Sequence, residues 1–133
     1  MTLQPPAVIF GDAELWATTY LRSALAARLE PYAAARVSNQ KSTTKQARQV
    51  VVRRDGGRQD GLFDFPRLTV RVWADDEQDA ADLSRLVRAL LMVAPGDGPC
   101  VRVESTTGPQ GLPGDSQPQK FFTVDVKMRG VDL

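Results

Sequence analysis

The chain has 133 residues, 42% of them apolar and 25% charged, and a formal net charge of +1. That length suits one domain burying roughly two-thirds of its unfolded-chain surface, so folding requires neither a metal nor a disulfide. The near-neutral balance gives no global pull toward nucleic acid or anionic lipid. A single cysteine excludes an intrachain disulfide and a cysteine zinc site, and the lack of histidine removes Ser-His and Cys-His catalysis. No apolar run approaches the ~18 residues of a membrane span, and MTLQPPAVIFGDAE lacks a basic leader. Synthesis in a cytosol and no membrane partner are expected.

Residues 1–10 read as an N-terminal arm: Pro5 and Pro6 forbid a helix, and Ala7 to Phe10 suit a brief extended contact. Asp12 is the expected N-cap of a first helix running to about Leu29, with Glu14 as a first-turn acid. Leu21, Ala24, Leu25 and Leu29 share its stripe, with Trp16 and Tyr20 beside it at i,i+4.

Residues 32–58 are basic. Ala33 to Val37 read as a short strand, SNQKSTTKQARQ as an aperiodic polar loop (38–48), and Val50 to Val52 as a second strand ending at Arg53-Arg54. Asp55-Gly56-Gly57 reads as a hairpin turn. Between Arg36 and Arg71, nine Arg/Lys face three acids, Asp55, Asp60 and Asp64. This excess balances the acidic start of the second helix, on the same or a neighbouring subunit, or it contacts phosphate. With no aromatic residues interleaved among the basic ones, the sequence favours the first reading. Leu62, Phe63 and Phe65 give the following connection apolar content, and Pro66 leads into the next strand.

Residues 67–94 organise the chain. Leu68, Val70, Val72 and Ala74 alternate with Arg67, Thr69, Arg71 and Trp73, the period of a half-buried strand. The pattern then switches to a helix capped by Asp75 or Asp76, with Glu77 and Asp79 in the acidic first turn. Ala80, Leu83, Leu86, Val87, Leu90 and Leu91 form its apolar stripe, and Pro95-Gly96 stops it. Cys100 to Thr106 alternates again, Val101 and Val103 against Arg102 and Glu104. A Gly/Pro loop, 107–119, reads as mobile and as a contact surface. Lys120 to Arg129 sets Phe122, Val124, Val126 and Met128 against Phe121, Thr123, Asp125, Lys127 and Arg129. The expected fold is α+β: a two-layer sandwich with helices on one side and a partly polar opposite side.

No nucleotide, zinc-protease or hydrolase motif is present. The acids Asp75, Asp76, Glu77, Asp79 and Asp82 lack the glycine and bidentate glutamate spacing of a calcium loop. Cys100 reads as a small buried hydrophobe, because no base is available to activate it. Neither catalysis nor a cofactor or metal is expected.

The order of these elements, with PRLTVRVWADDEQDAADLSRLVRALL, the Gly111-Leu112-Pro113 loop and the closing FTVDVKMRG, resembles the tail terminator proteins of long-tailed phages, especially those of actinobacterial hosts. The resemblance spans nearly the whole chain and one domain. It implies a small mixed, mostly antiparallel sheet with two helices on one face. It also implies a homo-hexameric ring at the head-proximal end of the tail, stopping polymerisation of the major tail tube protein and presenting a surface to the head-completion or stopper protein. The protein would assemble in the host cytoplasm and reside in the virion, with DNA only as passing cargo. Ring closure needs two unlike complementary patches, and the basic stretch 36–58 and acidic stretch 75–82 could supply them between neighbours. Arg53, Arg54, Arg71, Asp75, Asp76, Asp79, Lys127 and Arg129 are the expected subunit or tube contacts, and loops 38–48 and 107–119 the expected contacts with tube or head. Another head–tail connector is the nearest alternative. A nucleic-acid-binding adaptor domain is a more distant one.

Overall fold

A computed structural model describes residues 7–113 and 116–132. Pro5 and Pro6 of the arm, and Gly114 and Asp115 of the Gly/Pro loop, lie outside the described residues. The architecture is the expected α+β sandwich, a mixed sheet carrying two helices on one face.

The strand-to-helix unit forms as its periodicity predicts. Strand β5 (Arg67–Ala74) buries Leu68, Val70, Val72 and Ala74 completely. Helix α2 (Glu77–Met92) is capped by Asp76, whose carboxylate accepts from Asp79 N at 2.8 Å. Its stripe of Ala80, Leu83, Val87 and Leu91 is sealed against the sheet. Helix α1 (Ala13–Ala26) is capped by Asp12 and lies beside it on the same face. It ends short of Leu29. Glu30, held extended ahead of Pro31, cannot continue the helix, and a 3-10 turn, Pro31–Ala33, replaces the first part of the expected 33–37 strand.

The remaining strands are β1 (Val8–Ile9), β2 (Arg36–Ser38), β3 (Arg48–Arg54), β4 (Phe63–Asp64), β6 (Cys100–Ser105), β7 (Gln110–Gly111), β8 (Gln119–Arg129) and β9 (Val131–Asp132). The longest, β8, is central. One edge takes β5 at residues 119–125 and then β4 at 128–129; the other takes β7 and β6. Beyond β5 lie β3, antiparallel, and β2, parallel to β3. The arm's Val8 and Ile9 pair with Asp132 and Val131 in a separate two-stranded ribbon.

Three local expectations change. Asp55-Gly56-Gly57 is not the turn: pairing continues through it, with Asp55 N donating to Arg67 O at 2.7 Å and Arg67 N to Gly56 O at 3.2 Å. Gly57 sits at φ +100°, where a Cβ would lie 2.0 Å from Phe65 O, so glycine is required for close passage. The tight turn comes later, where the Asp60 carboxylate accepts from Leu62 N and Phe63 N at 3.0 and 2.8 Å. In β6 a register shift between Cys100 and Arg102 puts Cys100 and Val103 in the core and leaves Val101 exposed. Trp73, expected on the wet side of β5, is only 3% exposed.

Trp73 is covered because of how the chain is routed. Parallel neighbours β2 and β3 require the chain to return along the sheet before it can start again. The helices occupy one face, so residues 39–47 return on the other. They place Lys41 Nζ 5.1 Å from the Trp73 ring centroid and roof Gln49, Val51 and Trp73, all buried.

Candidate interaction surface

The sheet face away from the helices is built from cross-strand rows: Gln49–Trp73–Gln119, Val51–Arg71–Phe121, Arg53–Thr69–Thr123 and Arg67–Asp125–Glu104. The first row lies under the return loop. The remaining rows carry no second layer of helix or strand among the described residues.

The roof is pinned by buried amides. Gln49 Oε1 accepts from Ser42 N at 3.1 Å. Gln117 donates through Nε2 to Gln46 O at 2.8 Å and to the Asp75 carboxylate at 3.1 Å, joining loops 38–48 and 107–119 to each other and to the start of α2. In the second loop, β7 also pairs with β8. Neither expected mobile loop is detached from the body of the protein.

The eight expected contact residues separate into two groups. Four are engaged inside the chain. Arg54 grips Asp64 in two parallel bonds of 2.6 and 2.7 Å, and Asp64 is 1% exposed. This carboxylate holds the guanidinium more firmly charged, and the pair ties the 55–66 excursion to the end of β3. Asp79 accepts from Arg48 Nη2 and Nε at 2.8 and 2.9 Å. Asp75 meets Lys45 at 3.6 Å besides Gln117. Asp76 caps α2. Part of the balance between basic 36–58 and acidic 75–82, offered above as lying on the same or a neighbouring subunit, is thus made within one chain by Arg48–Asp79 and Lys45–Asp75.

The other four face solvent. Among the described residues, Arg53 has a long contact, 3.7 Å, to Glu14. Arg71 is exposed and has no hydrogen-bond or ion-pair partner among the described residues. Lys127 lies 4.2 Å over the Phe63 ring, and Arg129 is exposed at the end of β8.

A scan against protein-family models finds no match for this chain, and neither does a search of curated proteins.

Sequence reasoning missed Glu14, Asp64 and the buried glutamines. Glu14, read only as a first-turn acid, accepts from Arg54 N at 2.6 Å and from Asn39 Nδ2 at 3.2 Å, tying α1 to β3 and to the loop after β2. Nothing within a few residues of Glu14 signals this, because both donors come from distant segments. For Asp64, the acid inside the apolar FDFP run was the available hint.

The two ends of the sheet differ chemically. At the end where β5 finishes lie the polar loops and the capped start of α2. At the opposite end, Ile9, Leu62 and Val131 are 54%, 63% and 65% exposed, Ile9 pairs with Val131, and Gly130 N donates to Leu62 O. Beside them, Leu15, Trp16, Tyr20, Pro99 and Met128 line a groove of about 520 Å³. Trp16 and Tyr20 stack there, 5.8 Å between centroids. Burial, reinforced by Asp97, raises the Tyr20 phenol, whose OH donates to Leu90 O at 2.5 Å. Cys100 lies in the core; burial first and Asp97 second push its thiol up to about 11.

Proposed function

We propose that this chain is the subunit of a ring, hexameric by resemblance, that caps the head-proximal end of a phage tail tube, stops addition of the major tail tube protein and presents the surface for head completion. The observation that carries the reading is the polarity of the molecule. A cap between two unlike assemblies needs two unlike ends, and this subunit has a polar end built of tethered loops and an apolar end at the β1–β9 ribbon. Heterologous ring closure needs, in addition, two different lateral patches. The bare, charged part of the sheet face is one. The apolar groove beside α1 is the other.

The internal pairing of Arg48, Lys45 and Arg54 moves the expected lateral contacts toward Lys127 and Arg129, and leaves Arg53 and Arg71 on the part of the sheet face that the ring keeps open. The test is mass measurement of the purified protein in solution, alone and mixed with tail tube protein. A closed oligomer, alone or on meeting the tube protein, is the expected result. A stable monomer in both settings overturns the proposal.

A further inference from the structure

Lys41, Arg53, Arg71 and Gln119 surround a hollow of about 330 Å³ on the bare side of the sheet, floored by Val51 and Trp73 and bounded by Pro113. Three features of these residues converge. Arg53 and Arg71 are diagonal neighbours on adjacent antiparallel strands, since Arg53 pairs with Thr69 and Arg71 with Val51; diagonal positions on one face lie within reach of long side chains. Among the described residues, Arg71 meets no carboxylate and Arg53 meets one at long range. Arg71 has no partner among the described residues, and the Glu14 carboxylate 3.7 Å from Arg53 is already occupied by Arg54 N and Asn39. Gln119 is 6% exposed, and its Oε1 has no hydrogen-bond partner among the described residues. Gln119 lines the hollow, and its amide carries two N–H donors.

We infer that this hollow binds a phosphate oxyanion, and specifically a phosphate of a nucleic-acid backbone, through Arg53 and Arg71 with the Gln119 amide as third donor. A fork of guanidinium donors matches phosphate geometry. Backbone rather than base recognition follows from Trp73, which is 3% exposed with Lys41 over its ring and so offers no open face on which a base could stack. An acidic segment of a second copy is the competing occupant. The acids of 75–82 argue against it, since Asp75, Asp79 and Glu77 already pair with Lys45, Arg48 and Lys120. The inference goes beyond the ring reading and does not depend on it.

The test uses the full chain and a labelled mixed-sequence duplex, titrated between about 50 and about 200 mM salt. Wild-type protein binds with affinity that falls as salt rises. Arg53→Gln and Arg71→Gln each lower the slope of log affinity against log salt by about one. Arg85→Gln, on the exposed side of α2, leaves it unchanged. Gln119→Leu weakens binding and raises the denaturation midpoint, because it removes both the donor and the unsatisfied oxygen. Inorganic phosphate is the second probe, and the oligomeric mass of each variant is read in parallel. The inference is overturned if wild type shows no salt-sensitive binding. Equal loss in the Arg85 variant, or competition by inorganic phosphate as effective per phosphate as the duplex, also overturns it. So does a change of oligomeric mass in the Arg71 variant with DNA affinity intact, which would make the hollow a protein contact. A monomer that binds DNA in this way sinks the ring proposal and leaves the site standing; a ring indifferent to DNA does the reverse.

Discussion

On the helix-covered face of the sheet, Leu68, Val70, Val72, Phe122 and Val124 are sealed by two amphipathic helices. On the opposite face the intervening side chains meet two different environments. Gln49, Val51 and Trp73 are buried beneath a polar return loop, whereas Arg71 and Arg53, the neighbours of Val51 and Trp73, stand in water. Strand alternation tells which residues share a face. It does not tell whether that face has a lid, because here the lid is laid by chain routing between two parallel strands rather than by an apolar stripe.

Substitutions that compare the two faces should rank in a definite order. Phe122→Ala, which removes a fully buried ring from the helix side, should cost about 3–5 kcal/mol in chemical denaturation. Trp73→Ala should cost about 3 kcal/mol if the loop is a true lid; a loss no larger than that of a solvent-facing residue would mean the loop leaves the face open. Arg54→Ala leaves the Asp64 carboxylate buried without its partner and should cost about 2–3 kcal/mol, below the full range for such pairs because Arg54 is partly exposed. Asp64→Asn combined with Arg54→Ala should recover part of that loss, a result a double-mutant cycle would read directly.

A smaller effect separates the core from both surfaces by pH. The folded state holds the Cys100 proton more tightly than the unfolded chain, about 11 against 9.0. This contribution is fully present below about pH 9 and is lost as pH rises toward about 11. Urea midpoints should therefore fall over that window, and the fall should be shallower in Cys100→Ala. An equal slope in the two proteins would place the alkaline loss elsewhere, with Tyr20, raised in the same direction, as the next group to test. The smallest stability effect belongs to Arg71→Gln, within about 0.5 kcal/mol, although its effect on partners should be the largest of the set.

Much of the framework was legible because it rests on local rules. The alternation of β5 and β8, the stripe of α2 and the caps Asp12 and Asp76 all depend on residues within a few positions of one another. What was not legible depends on distant segments meeting. The basic excess of 36–71 looked like one surface, yet pairing divides it: Arg48 and Lys45 turn to α2, Arg54 to Asp64, and Arg53 and Arg71 are left outward. The expected absence of interleaved aromatics does not hold: Phe63 and Phe65 stand between Arg58 and Arg67, with Arg58 3.9 Å over the Phe65 ring, and Trp73 lies two residues past Arg71 with its ring beneath Lys41. The end of α1 and the true turn at Asp60 were displaced by Pro31 and by a glycine passage that only the partner strand reveals.

The ribbon joining β1 to β9 has a mechanical consequence. Its two strands run antiparallel, with two residue pairs among the described residues, and lie side by side. Tension applied between these two strands opens the ribbon like a zipper, one pair at a time, at low force. Only afterwards does the load reach β8, which is held along both edges and must be sheared out lengthwise. The protein can yield a few residues of slack at that pole while the body of the sheet keeps its shape.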